Sequence, residues 1–489
     1  MKSMVKSKII ILISLGILFS IFPIITTNHS FISGKNNKSS DYSDDINLDN
    51  KNLQISAVSG KIHIDNNWSA AKIAGICTGN GTYSEPYIIE DLVIDGGGSG
   101  SCILIENSDV YFIIENCSVY NSGAYWLDAG IELDTTTNGQ LIKNTCSSNR
   151  CGIYLESCVN NIISENIMHN NDEGIFLRNC NNNSVIGNTA NNGGGSGIYL
   201  NTCNNNIISG NTANHNTGGD GINLFDCNNN TVSGNIASFN NYNGIYLSDF
   251  NNNHNISGNT ANYNTKSGIY LGFYCNNNTI SGNTANHNTG GDGIYLKGYN
   301  NNTVSGNIAS FNNYNGINLF DCNNNTVSGN IASFNNYNGI YLHSSDFNDI
   351  SRNEVNNNTY QGIELWDSNN NDITGNNASY NGVNGIFFED SDYNIISGNI
   401  ATNNQNGICL NESDYNIVSG NFLFGNDKCI LEDNCQGNEF SDNGSCTYGQ
   451  DEDGGIPFEL ILLISVISGV AVIGVATILI IRRKRKRIE

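Results

Sequence analysis

The chain has 489 residues, only 13% of them charged, with 53 glycines against 3 prolines, and asparagine is its most abundant residue. Its formal net charge is −24. A surface of that sign repels nucleic acid and polyanionic glycans, so no nucleic-acid partner is expected; divalent cations or neutral partners suit it better.

In chain order, Lys2, Lys6 and Lys8 precede an apolar run from Ile9 to about Ile25. That pattern predicts a secretory signal over 1–27, cleaved or retained as an anchor. Residues 28–55 form a polar linker rich in Asn, Ser and Asp. From Lys61 to Gly75 (KIHIDNNWSAAKIAG) a short strand and a helical turn are expected to cap an open end, and 56–129 holds this cap with irregular first coils. A stacked repeat needs such a cap, because its end exposes unpaired strand edges.

The repeat itself fills 130–446. The tetrapeptide G-I-x-L/F begins at Gly130, Gly152, Gly174, Gly197, Gly221, Gly244, Gly268, Gly293, Gly316, Gly339, Gly362, Gly385 and Gly407, in steps of 22 to 25 residues. A second marker, usually S-G-N, keeps the same beat. The stretch Cys322–Leu342 repeats Cys227–Leu247 letter for letter, and residues 203–247 match 275–319 closely. Each period carries three apolar pulses, exemplified by Val327, then Ile331 with Phe334, then Ile340 with Leu342. None is long enough for a helix. The I-x-L alternation sends Ile340 and Leu342 to one face and Tyr341 to the other. Asn and Gly between the pulses tolerate positive φ and make corners. Three short strands and three corners describe one triangular coil. Parallel stacking of coils places like residues in columns about 4.8 Å apart, where asparagines can bond from rung to rung.

Towards the C-terminus, Asp427–Cys446 is cysteine-rich and closes the other end, with one disulfide expected among Cys429, Cys435 and Cys446. An acidic stalk covers 447–459. Residues 460–481 carry no charge and are long enough to span a bilayer as a helix. The basic tail 482–489, with RRKRKR from Arg482 to Arg487, sets its orientation: tail cytoplasmic, repeat outside the cell, a single-pass membrane protein.

The pattern N-x-[IV]-S-G-N…N-G-I-x-L resembles the right-handed parallel β-helix repeats of the NosD-like family. That family lies within the carbohydrate-binding and sugar-hydrolase β-helix domains of the pectate-lyase-like superfamily. The opening stretch PYIIEDLVIDGGGSGSCILIENSDVYFIIENC (Pro86–Cys117) also resembles the first coils of archaeal surface members. The resemblance spans roughly 61–445. It implies an all-β fold, a right-handed parallel β-helix, to which the sequence adds the C-terminal transmembrane helix. It leaves activity open, because a fold does not set a function.

Columns, rather than single residues, are then the candidates for chemistry. The outward x of G-I-x-L gives Tyr199, Asn223, Tyr246, Tyr270, Tyr295, Asn318 and Tyr341, flanked by Phe176 and Phe387. Its tyrosines, Tyr199, Tyr246, Tyr270, Tyr295 and Tyr341, form a candidate sugar platform or simply good strand residues. A second column, Asp226, Asp249, Asp321, Asp367, Asp390 and Glu412, is either a candidate Ca²⁺ site or a solvated acidic edge. Cys158, Cys180, Cys203, Cys227, Cys275 and Cys322 recur in phase and predict an interior stack of free thiols.

The NosD resemblance raises copper. However, the histidines His63, His169, His215, His254, His287 and His343 are scattered, Met168 is the one methionine past the signal, and no copper site is expected. No catalytic constellation stands out. Arg150, Arg178, Arg352, Lys266 and Lys297 stand singly in the sequence, and the acid group Glu389, Asp390 and Asp392 falls at a corner. The expectation is a membrane-anchored surface protein that binds neutral glycans or cell-surface partners, or acts as a spacer. A polysaccharide lyase or hydrolase is the alternative, and an accessory role in copper-enzyme maturation the third.

Overall fold

The computed structural model describes residues 57–298 and 300–444. The expected signal, linker, stalk, transmembrane helix and basic tail lie outside the described residues. No helix among the described residues is long and apolar enough to cross a membrane.

The described residues form a right-handed parallel β-solenoid. One sixteen-stranded sheet collects the G-I-x-L strands, from Ile62–Asp65 to Lys428–Asp433. A second sixteen-stranded sheet collects the segments before S-G-N, from Tyr87–Glu90 to Glu439–Ser441. The third sheet has only six strands, from Ala57–Ser59 to Thr189–Asn191. Beyond it, the third side shrinks to single bridges such as Ile308↔Ile331 and Ile331↔Glu354.

Register is strict. Ile340 pairs with Ile317 and Ile363, Leu342 with Leu319 and Leu365, and Tyr341 with Asn318 and Glu364. Ile340 and Leu342 are fully buried, as the alternation requires, and burial of each stabilises by about 1.5–3 kcal/mol. The G-I glycine is needed because coils approach closely: a Cβ on Gly316 would lie 2.7 Å from the carbonyl oxygens of Ala309 and Gly339.

The middle pulse differs from the sequence reading. Ile331 is 38% exposed and Phe334 50% exposed, whereas Ala332 between them is fully buried. Phe334 has φ +61, so the chain turns there after a single bridged residue. Ile331 and Phe334 therefore point outward, and no third strand forms in the later coils.

Three corners carry asparagine ladders. In one, the Asn330 N–H donates to Asn353 Oδ1 (2.9 Å), and Asn330 Nδ2 donates to Val304 O (2.9 Å) and to Asn353 Oδ1 (2.9 Å). The same pattern runs through Asn325 to Asn348 and through Asn335 to Asn358. These groups are buried, so each bond satisfies a backbone or amide group that water cannot reach. His254 takes an asparagine place in one ladder. Its Nδ1 accepts from the Asn230 N–H (3.1 Å) and its Nε2 lies 3.0 Å from Cys227 O.

The in-phase cysteines are buried in the interior, as expected. They are more than small hydrophobes. Cys180 Sγ accepts the Cys158 N–H (3.3 Å), and Cys203 and Cys227 continue the series. Further along, Ser345, Ser368, Ser391 and Ser413 do the same with hydroxyls, each accepting the N–H of the preceding coil. At one end, Trp68 of the short helix Trp68–Ile73 stacks on Tyr87 (4.9 Å) and donates from Nε1 to Ser108 Oγ (2.8 Å). Near the other end, Cys429 is disulfide-bonded and Cys435 is free.

Candidate functional site

The outer face of the G-I-x-L sheet carries the tyrosine column. Tyr246, Tyr270 and Tyr295 stack, with centroids 5.2 and 4.8 Å apart. Asn223 and Asn318 bound this run, so Tyr199 and Tyr341 stand apart from it. Tyr199 stacks instead on Phe176 (4.8 Å), and Tyr341 leans on His343 (6.1 Å). The expected platform of ring faces is thus altered: within the run the faces cover one another, leaving half-buried edges and hydroxyls towards solvent.

These three tyrosines line an open groove of about 650 Å³. Asp220, Asn243, Ser267 and Asp292 also line it, as do Tyr242, Lys266 and Tyr314 from the neighbouring corner. Asp220, Asn243, Ser267 and Asp292 occupy the position just before G-I in successive coils, so the two aspartates sit three rungs apart, roughly 14 Å.

Each aspartate is held by amides. Asp220 Oδ1 accepts from the Asn243 N–H (2.8 Å) and Asn243 Nδ2 (2.9 Å), and its Oδ2 accepts from Asn223 Nδ2 (3.0 Å). Asp292 Oδ1 accepts from the Asn315 N–H (2.9 Å) and Asn315 Nδ2 (2.9 Å), and its Oδ2 from Asn318 Nδ2 (3.0 Å). Burial pushes both carboxyls up to about 6, against the pull of these hydrogen bonds. Among the described residues neither has an ion-pair partner.

A second cleft, about 210 Å³, lies further along the same face and is lined by Trp126, Arg150, Glu173, Phe176, Tyr199 and Asn201. Burial raises Glu173 to about 7, opposed by the Ser196 N–H at 2.7 Å. Arg150 and Arg178 are isolated only in sequence. In the fold Arg150 pairs with Asp172 (3.2 Å), and Arg178 pairs with Glu156 (3.7 Å) and lies over Trp126 (5.0 Å).

Asp220, Asp292 and Glu173 were missed in the sequence reading. Their signal is faint but present: they are the acids in the position before G-I, which elsewhere holds Asn, Ser, Gln, Ala or Cys. A second exposed stack also went unread. His215, Phe239, Tyr263, His287, Phe311 and Phe334 follow one another at 4.8 to 5.1 Å, all with positive φ.

The other sequence candidates fall on corners. Asp226, Asp249, Asp367, Asp390 and Glu412 all adopt positive φ, from 46 to 54. Asp226 and Asp249 meet through backbone, Asp226 N–H to Asp249 O (3.0 Å). Glu389 accepts from Asn411 Nδ2 (2.8 and 2.9 Å), and Asp392 Oδ1 accepts the Asp414 N–H (2.7 Å). Among the described residues no group of three or more His, Cys, Asp or Glu side chains is placed to hold a metal ion.

A right-handed parallel β-helix with a tyrosine-lined groove along one sheet is the class of protein these features define. The family comparisons narrow it. The model described as right handed beta helix region matches residues 53–219 and 129–285, and that of the periplasmic copper-binding protein NosD matches 272–376 and 356–449. Together these matches support a NosD-like right-handed β-helix family for the chain. No similar curated protein is found.

Among solved structures, it is similar to the A-module of Azotobacter vinelandii mannuronan C-5 epimerase AlgE6, at 14% identity and TM-score 0.38, over 70% of this chain and 91% of that one. It is also similar to the siphovirus 9NA tailspike receptor binding domain, at 10% identity and TM-score 0.35, over 75% of this chain and 74% of that one.

Among the described residues, the soft donors Met168, His254 and the in-phase thiols do not fit the copper in the NosD description. Met168 is buried in the core, His254 serves a ladder, and the in-phase thiols bond to backbone.

Proposed function

We propose that the protein displays this β-helix outside the cell to bind carbohydrate that carries no negative charge. The observation that carries the reading is the groove over Tyr246, Tyr270 and Tyr295, where a tyrosine hydroxyl recurs once per rung. A pyranose ring is about as long as one rung, so a glycan lying along the axis would meet like groups at each step. The acidic surface disfavours polyanionic chains. Anchoring is assigned to 460–481 with the basic tail inside, which orients the groove away from the cytoplasm.

The test uses purified full chain on a glycan array. Binding to uncharged polysaccharides is expected, and Tyr270→Ala should weaken it about tenfold or more, because it removes the middle of the run. Unchanged binding by the variant removes the groove from the reading.

One observation favours polysaccharide cleavage as a second reading. Glu173 is a half-buried carboxyl pushed up to about 7 by desolvation beside an aromatic cleft, the environment a general acid needs. Its neighbour Asp172 is tied to Arg150 and would be the second carboxylate. Release of new reducing or unsaturated ends that is abolished by Glu173→Gln would establish that reading in place of simple binding.

A further inference from the structure

The groove over Tyr246, Tyr270 and Tyr295 has two unusual ends. At each lies a buried aspartate with no cationic partner among the described residues. Beside each lies an asparagine whose Oδ1 is buried and unpartnered: Asn223 next to Asp220 and Asn318 next to Asp292. The amides are oriented by donating Nδ2 to the carboxylate, which leaves that oxygen over. Each end thus holds an acceptor oxygen without a donor beside a carboxylate without a cation.

A buried carboxylate is ordinarily paired, and an unpartnered buried acceptor costs about 1–3 kcal/mol. Lys266 lines the groove but is exposed, and its ammonium forms no ion pair with either aspartate. What each end lacks is therefore a compact positively charged donor. An ammonium has three donors, no acceptor and one positive charge.

We propose that the groove selects glycans bearing primary amines, that is, amino sugars with the nitrogen unsubstituted, and that Asp220 and Asp292 with Asn223 and Asn318 receive two ammonium groups three rungs apart. The inference rests on the carbohydrate reading above and narrows its ligand class. The spacing favours an oligosaccharide of several residues over a monosaccharide, because one sugar cannot span both ends.

The experiment compares glucosamine oligomers, their N-acetylated counterparts and an uncharged glucan of similar length, by calorimetry on purified full chain. Glucosamine oligomers are expected to bind at least about tenfold more tightly than the acetylated ones. Raising salt should shrink that difference, since it is electrostatic. Asp220→Asn/Asp292→Asn should abolish the preference for the amine form over its acetylated counterpart. The salt series on the unaltered chain keeps the test open should that variant fold poorly. Equal or weaker binding of the amine form, or a preference unchanged in the variant, overturns the proposal and leaves the carbohydrate reading standing. Binding of none of the three overturns both.

Discussion

Asp220 and Asp292 are held in the fold at a cost in stability, and removing their charge should show it. Each carboxyl is raised from 3.8 to about 6 by burial. The folded state therefore binds more protons than the unfolded state between about pH 4 and pH 6, and stability falls as pH rises through that window. The penalty is absent below about 3.8 and complete above about 6. At about 1.4 kcal/mol per pH unit, each carboxylate costs roughly 3 kcal/mol at pH 7. Asn at either site keeps the Oδ1 that accepts from Asn243 or Asn315, and it offers an N–H to the orphaned oxygen of Asn223 or Asn318 once that amide turns over. Asp292→Asn should thus raise the melting temperature by a few degrees at pH 7 and leave it nearly unchanged at pH 4, and the double variant should do more. Thermal melts followed by circular dichroism at the two pH values are sufficient. A loss at pH 7, or an equal gain at both pH values, would refute the argument that the buried charge is uncompensated.

Three further outcomes test the scaffold. Asn307→Ala removes the acceptor of the Asn283 N–H and the donor to Ile280 O, both buried, and should cost about 3 kcal/mol or more, seen as faster amide exchange in the coils on either side. His254 is held neutral by burial, its value lowered to about 4, so it costs stability as pH falls from 6.5 towards 4; His254→Asn, which restores the ladder residue, should flatten that decline by about 3 kcal/mol in pH-dependent denaturant titrations. The thiol of Cys275, pushed by burial up to about 12, should resist a thiol reagent in the native protein and react fully once denatured; ready native labelling would contradict the interior stack.

The coil was legible because its markers are local and periodic. G-I-x-L announces a strand with two buried positions, and S-G-N announces a corner with Gly329 at φ +62 and Asn330 buried behind it. The third side was misread for a physical reason. Hydrophobicity suggested that Ile331 and Phe334 face inward, but Ala332 between them is the residue that faces the interior, and the positive φ at Phe334 throws its ring outward onto Phe311, 5.0 Å away. The groove was half legible. The tyrosines were visible as a column, yet their mutual stacking, which hides their faces, depends on side-chain direction. The aspartates were hidden because G-G-D-G reads as loop, while the fold tucks Asp220 and Asp292 beneath the next coil's asparagine.

Taken alone, the near-match of residues 203–247 to 275–319 disfavours a single catalytic centre assembled across them and suits a repetitive surface or a spacer. The differences between the two copies argue the other way. The copies agree over most of their length, including N-T-G-G-D-G-I, so each supplies one aspartate. They disagree in the outward column twice: Asn223 answers to Tyr295, and Tyr246 answers to Asn318. That exchange has a geometric consequence. Had Tyr295 stayed asparagine, the tyrosine run would stop at Tyr270; had Asn318 stayed tyrosine, Asp292 would lose the amide on its Oδ2. As it stands, Asn223 donates to Asp220 from the same coil and Asn318 donates to Asp292 from the next one, so the tyrosine run fills the three coils from the one after Asp220 to that of Asp292 itself. A spacer would gain nothing from this exchange, because both residue types fit the strand and the core beneath is unchanged. A groove with matched ends depends on it.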